Sequence, residues 1–93
     1  GGGAAMASAT PRRTAEGRRE LTQGVGRGEE EGKTAIRNTR REGNDKIKER
    51  QHDKESSEDE ENGGYKDVQE LTDEYVKRID ELAERKNSEI LEF

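Results

Sequence analysis

Residues 67–93 read DVQELTDEYVKRIDELAERKNSEILEF, and the spacing of their apolar side chains decides the fold. Val68, Leu71, Tyr75, Ile79, Leu82, Lys86 and Ile90 recur in steps of three and four, the lysine contributing its stem, and Val76 and Leu91 widen the stripe. A half-buried strand would alternate in steps of two. This period instead describes one apolar seam on a helix packed against another. Just upstream, Ser57-Glu58-Asp59-Glu60 reads as a capping box in which Ser57 accepts from a free amide and Glu60 reaches back. A helix is therefore expected over about 58–92, with Gly63 and Gly64 weakening its first turns.

Working outward, residues 52–57 form a short polar turn, and a first helix is expected over about 14–51. Thr14 can cap it, and Glu16 suits the positive end of the helix dipole. Its apolar positions, Leu21, Val25, Ala35, Ile36 and Ile47, mark a face only sparsely. Gly24, Gly26, Gly28 and Gly32 each cost about 1 kcal/mol against alanine in an exposed helix, which makes this the weakest stretch of the expected helix. A short turn makes the two helices antiparallel, an all-α helical hairpin with arms on the order of 50 Å long. Two helices leave part of the seam uncovered, and a third helix outside this chain would close the bundle. Residues 1–13, GGGAAMASATPRR, have no period and read as a flexible lead-in or linker.

Composition agrees with an element that needs a partner. Charged residues make up 44% of the 93 positions and the apolar set 24%; Leu, Ile, Val and Phe together fill 12 positions. That last share lies below the roughly 20% at which a chain reads as disordered on its own. Cysteine is absent, which excludes disulfides, thiolate metal sites and thiol nucleophiles. No apolar run approaches the roughly 20 residues needed to span a bilayer, and the start lacks a signal-peptide apolar core, so no membrane partner is expected. The expected compartment is the bacterial cytoplasm, or an organellar matrix or stroma. Net charge is −5, yet the halves differ: residues 1–50 carry 12 basic and 8 acidic groups, and residues 51–93 carry 6 basic and 15 acidic. The first half offers a face to an anionic partner; the second repels one.

The local feature with chemical content is KTAIRNTRREGNDKIK, residues 33–48. At 100° per residue Arg37, Arg40 and Arg41 lie within about 100° of arc, so their planar guanidinium groups can address one line of phosphates. Arg18 and Arg19 sit roughly 28 Å earlier along the same helix and extend the track. The competing reading is a solvated face with ion pairs such as Arg41 with Asp45. GVGRGEEEGKT, residues 24–34, fails as a phosphate loop, because Arg27 stands where the Walker glycine belongs and three glutamates would repel phosphate. His52 lacks partners for metal or catalysis, and the acidic run Glu58 to Glu61 has no evident cleft. Tyr65 and Tyr75 are too few for a base-stacking platform. No catalytic residue, metal ligand or cofactor is expected, and no DNA partner.

Four segments also carry a resemblance: TAEGRREL (14–21), EEGKTAIRNTRREGNDKIK (30–48), DKESSEDE (53–60) and the closing 67–93 stretch. In order and spacing they resemble the C-terminal part of ribosome-recycling factors. The resemblance implies an L-shaped protein with a long three-helix bundle and a small β domain. This chain would supply the second and third bundle helices, without the first helix and nearly all of the β domain. It implies that arginines of the second bundle helix, matching Arg18, Arg37, Arg40 and Arg41, contact large ribosomal subunit RNA. It also implies a non-enzymatic factor that acts with elongation factor G to split post-termination ribosomes. Departures are Gly17 in place of an arginine, the glycines at 24, 26 and 28, Ser56 at a usually apolar turn position, and Asn62-Gly63-Gly64. The rival from the residues alone is a protein-interaction module whose apolar seam recruits a further helix.

Overall fold

The computed structural model describes residues 14–92; the lead-in expected over 1–13 lies outside them. The described residues form two helices, α1 (Ala15–His52) and α2 (Glu58–Glu92), packed along their length as an antiparallel hairpin. Among the described residues there is no strand.

Local side-chain chemistry sets the helix ends. The Thr14 hydroxyl accepts from the Gly17 amide at 3.0 Å, satisfying one of the free donors of the first turn of α1. At α2 the capping box is closed in both directions: the Glu60 amide donates to Ser57 Oγ at 3.1 Å, and the Ser57 amide donates to Glu60 Oε1 at 3.2 Å. The Ser57 amide, followed by the Ser57 hydroxyl, holds the Glu60 carboxyl below its ordinary pKa. α1 ends in a Schellman arrangement, with the Lys54 amide donating to the Gln51 carbonyl at 3.0 Å and the Glu55 amide to the Arg50 carbonyl at 2.8 Å. That places Lys54 at φ 59°, where glycine is the usual occupant, at a cost of roughly 1–2 kcal/mol.

The glycines of α1, its weakest stretch by propensity, do not break it; the helix runs unbroken from Ala15 to His52. Two glycines serve the packing instead. A Cβ at Gly32 would lie 3.0 Å from Ile79 Cδ1, and one at Gly64 would lie 3.1 Å from Ile47 Cδ1. Each helix thus seats an isoleucine of its partner where it has no side chain.

Residues of reduced exposure include, on α1, the series Val25, Glu29, Gly32, Ile36, Arg40, Gly43, Ile47 and Gln51, flanked by Gly17, Arg18, Gly24, Gly26, Lys33 and Asn44, and, on α2, the series Glu61, Tyr65, Val68, Thr72, Val76, Ile79, Ala83, Asn87 and Ile90, flanked by Gly64 and Asp80. Both series repeat every 11 residues, close to the period of a straight helix. A heptad seam drifts by roughly 20° per repeat against that line. Leu71, Tyr75 and Leu82, which the heptad reading assigns to the seam, therefore lie off it, and each remains about half exposed. Among the described residues only Ala83 and Thr72 are buried, the Thr72 hydroxyl donating to the Val68 carbonyl at 2.7 Å.

One ion pair bridges the helices among the described residues. Lys33 Nζ lies 2.6 Å from Asp80 Oδ1 and 3.9 Å from Glu29 Oε2. The contact with Asp80 raises the Lys33 pKa, and Lys33 followed by Glu29 lowers that of Asp80. The hydrogen bond shared with Asp80, then desolvation, raises Glu29. The two carboxyls act in opposite senses: the Asp80 contribution to stability is lost as pH falls through its depressed value, while Glu29 favours the folded state once protonated.

Two outcomes follow. Gly32→Leu, which must displace Ile79, lowers stability by about 1–3 kcal/mol, whereas Gly63→Ala, which meets open space, raises it by up to about 1 kcal/mol in thermal unfolding; the same sign for both would contradict the seating of Ile79. In carboxyl-carbon NMR titration Glu29 titrates above its ordinary range, and Asp80→Asn brings it down; an unmoved Glu29 would mean that the shared hydrogen bond is not the cause.

Candidate nucleic-acid interface

The two long sides of the hairpin differ in chemistry. On one side the strip between the helices is open and apolar. Ala35, Ile36, Thr39, Gly43, Val68, Leu71, Thr72 and Tyr75 line a groove of about 390 Å³, with Arg40 at its edge. It continues past Val25, Gly28, Gly32, Ile79, Leu82, Ala83 and Lys86 in a second hollow of about 320 Å³. The groove exists because the 11-residue seam leaves Leu71, Tyr75 and Leu82 beside the contact line rather than on it. The Arg78 guanidinium lies 5.2 Å from the Tyr75 ring centroid and pairs with Glu74 at 2.6 Å, closing one margin of this side.

Arg37 and Arg41 sit roughly 120–160° around α1 from Ala35 and Thr39, on the other long side. Both are exposed. The close arc expected for Arg37, Arg40 and Arg41 is divided by burial: Arg40 turns toward α2 and is half-buried, and so is Arg18. The Nε atoms of Arg18 and Arg40 are enclosed and have no hydrogen-bond partner. A buried guanidinium N–H without an acceptor is uncommon, because each such donor forfeits its hydration.

None of the ion pairs among the described residues involves Arg18, Arg37, Arg40 or Arg41. The pairing of Arg41 with Asp45 that a solvated face would favour is not formed. Lys33, the first basic residue of the 33–48 run, is different. Its ammonium is committed to Asp80 and Glu29, and spacing alone gave no sign of this, since Asp80 comes from the other helix. The face therefore presents two exposed guanidinium groups about one turn apart and two half-buried ones with unmet donors. That chemistry suits phosphate oxygens, which accept planar, two-pronged hydrogen bonds.

No group of His, Cys, Asp or Glu among the described residues has the arrangement of a metal site. No described helix is long and apolar enough to cross a membrane. His52 is exposed at the last position of α1, and the Glu58–Glu61 run forms the first turn of α2, where its charges complement the helix dipole. Sequence reasoning missed the seating of Ile79 and Ile47 on Gly32 and Gly64. It also missed the sidedness of the apolar strip, which the 11-residue repeat carries.

Comparison with known proteins bears on the whole chain. The family described as Ribosome recycling factor matches residues 3–91. The ribosome-recycling factor of Halalkalibacterium halodurans is 49% identical over 82 residues, covering 88% of this chain and 44% of that protein. That of Carboxydothermus hydrogenoformans is 45% identical over 89 residues, 96% of this chain and 48% of the relative. That of Bacillus cytotoxicus is 42% identical over 90 residues, 97% and 49% respectively. The chain spans about half the length of the curated relatives it matches. No solved structure matches it. A match this long, together with the two-helix architecture, assigns the chain: it belongs to the ribosome recycling factor family.

Proposed function

We propose that this chain is the RNA-contacting hairpin of a translation factor that binds the large ribosomal subunit and, with elongation factor G, splits post-termination ribosomes for recycling. The observation that carries the reading is the arginine set of α1. Arg37 and Arg41 are exposed without carboxylate partners, and Arg18 and Arg40 hold enclosed Nε donors that lack acceptors. Phosphate oxygens of ribosomal RNA pair with the exposed forks of Arg37 and Arg41, and meet Arg18 and Arg40 through guanidinium nitrogens other than the enclosed Nε.

Recognition on this reading runs through backbone and shape, since a few arginines on a rigid helix align with phosphates and Tyr65 and Tyr75 form no base-stacking surface. The chain works mechanically, as a stiff element moved by its partner, and catalyses no reaction. Its setting is the cytoplasm of a bacterium or the matrix or stroma of an organelle.

The apolar groove favours a second reading, a hairpin that recruits a further helix and has no RNA role. Leu71 and Leu82 are 53% and 51% exposed there, more apolar surface than a free-standing hairpin is expected to leave open. Arg37 and Arg41 lie away from the groove while Arg40 lines it, so charge reversal at Arg37 and Arg41 separates the two readings.

Co-sedimentation with purified large ribosomal subunits at low salt is expected for the chain. It should fall by one to two orders of magnitude as salt rises to physiological strength, because each phosphate contact contributes to the salt slope. Arg37→Glu with Arg41→Glu abolishes it at either salt concentration. Binding that ignores both salt and the double change would overturn the RNA contact and leave the helix-recruiting hairpin.

A further inference from the structure

We infer that residues 15–28 of α1 form a separate, weakly held unit that melts away from α2 while residues 29–52 stay paired. The inference is independent of any RNA role.

The helix is unbroken in this region, but little holds it. Gly24, Gly26 and Gly28 fall within a single turn and a half. A Cβ at Gly26 or Gly28 would meet nothing within 4 Å, and one at Gly24 would touch only the flexible Arg27 guanidinium at 3.8 Å. Unlike Gly32 and Gly64, these glycines seat no partner side chain, so their poor helix propensity is not offset by packing. The apolar side chains of the unit beyond Ala15 are Leu21, 40% exposed, and Val25. Across from it, at the end of α2, Leu91 is 69% exposed.

The ionic contacts stop at the same boundary. Among the described residues every ion pair of α1 lies at Glu29 or beyond, and the one that crosses to α2 is Lys33 with Asp80. The keyed contact of Gly32 with Ile79 begins one turn after the glycine run. N-terminal to that point the unit keeps its Thr14 cap, which is local and ties nothing to α2. A helix of this length is marginal in water even with good helix formers, so once detached it unravels.

Opening divides the basic residues. Arg37, Arg40 and Arg41 remain on a fixed helix, while Arg18, Arg19 and Arg27 pass to a mobile segment. The end of α2 over 84–92 loses its cover at the same time.

Amide hydrogen exchange on the whole chain tests this. Amides of residues 19–28 should exchange at least tenfold faster than those of 33–47. The triple change Gly24→Ala, Gly26→Ala, Gly28→Ala should slow the first group roughly 100-fold, from about 1 kcal/mol per substitution, and leave the second within a few fold. Gly63→Ala, at the far end of the hairpin and also in open space, should leave 19–28 unchanged. Equal exchange in the two groups, whether both fast or both slow, overturns the proposal. So does a fast group that the triple change fails to protect, since that would be ordinary end fraying.

Discussion

Everything in this molecule depends on a single narrow line of contact between two antiparallel helices. With two buried residues, Ala83 and Thr72, there is no core in the usual sense. The line is held by close approach rather than by bulk. Ile79 sits on Gly32, Ile47 on Gly64, Val68 beside Gly43, and one ammonium, that of Lys33, reaches across to Asp80. Small residues let the backbones draw together where aliphatic side chains are scarce, and the 11-residue repeat keeps these contacts in line along nearly straight helices. The same line fixes the azimuth of everything else, so Arg37 and Arg41 face away from the apolar groove while Arg40 lines it.

What was legible in the sequence follows the range of the interactions involved. The Ser57–Glu60 box and the Thr14 cap are contacts between a side chain and backbone three residues away, and both formed as the residues indicate. The hairpin itself follows from two helical segments and a short polar turn. Features set by the opposite helix were not legible. Gly32 and Gly64 look like weak points because propensity is a property of one chain segment, while the isoleucines that occupy their space lie more than a dozen residues away. Leu71, Tyr75 and Leu82 fit a heptad as well as Ile79 does, and only packing reveals which of them leaves the contact line. Lys54 at positive φ could not be anticipated, since no glycine marks the end of α1.

The arginines illustrate the same division. Spacing indicated that Arg37, Arg40 and Arg41 are neighbours, which is geometry internal to α1. Their unequal burial, and the loss of Lys33 to Asp80, depend on α2. The outcome is an interface with two kinds of cation: exposed forks free to meet an anion, and enclosed ones whose Nε needs an acceptor. In a chain of net charge −5, the exposed Arg37 and Arg41, free of ion pairs among the described residues, are the groups on which the proposed RNA contact rests. The apolar groove lies on the other side of α1 from Arg37 and Arg41, so on the proposed reading a helix seated there would leave those two arginines open.

The register of α1 against α2 underlies each of these statements, and a distance measurement tests it most directly. The chain has no cysteine, so spin labels can be placed singly at the exposed positions Thr34 and Lys77. Pulsed electron–electron resonance should give one narrow distribution near about 20–25 Å, from helix axes about 8–10 Å apart plus the label arms. A distribution centred toward about 65 Å, the span of helices running on end to end at 1.5 Å per residue, or a broad one without a short component, would contradict the hairpin and everything derived from it.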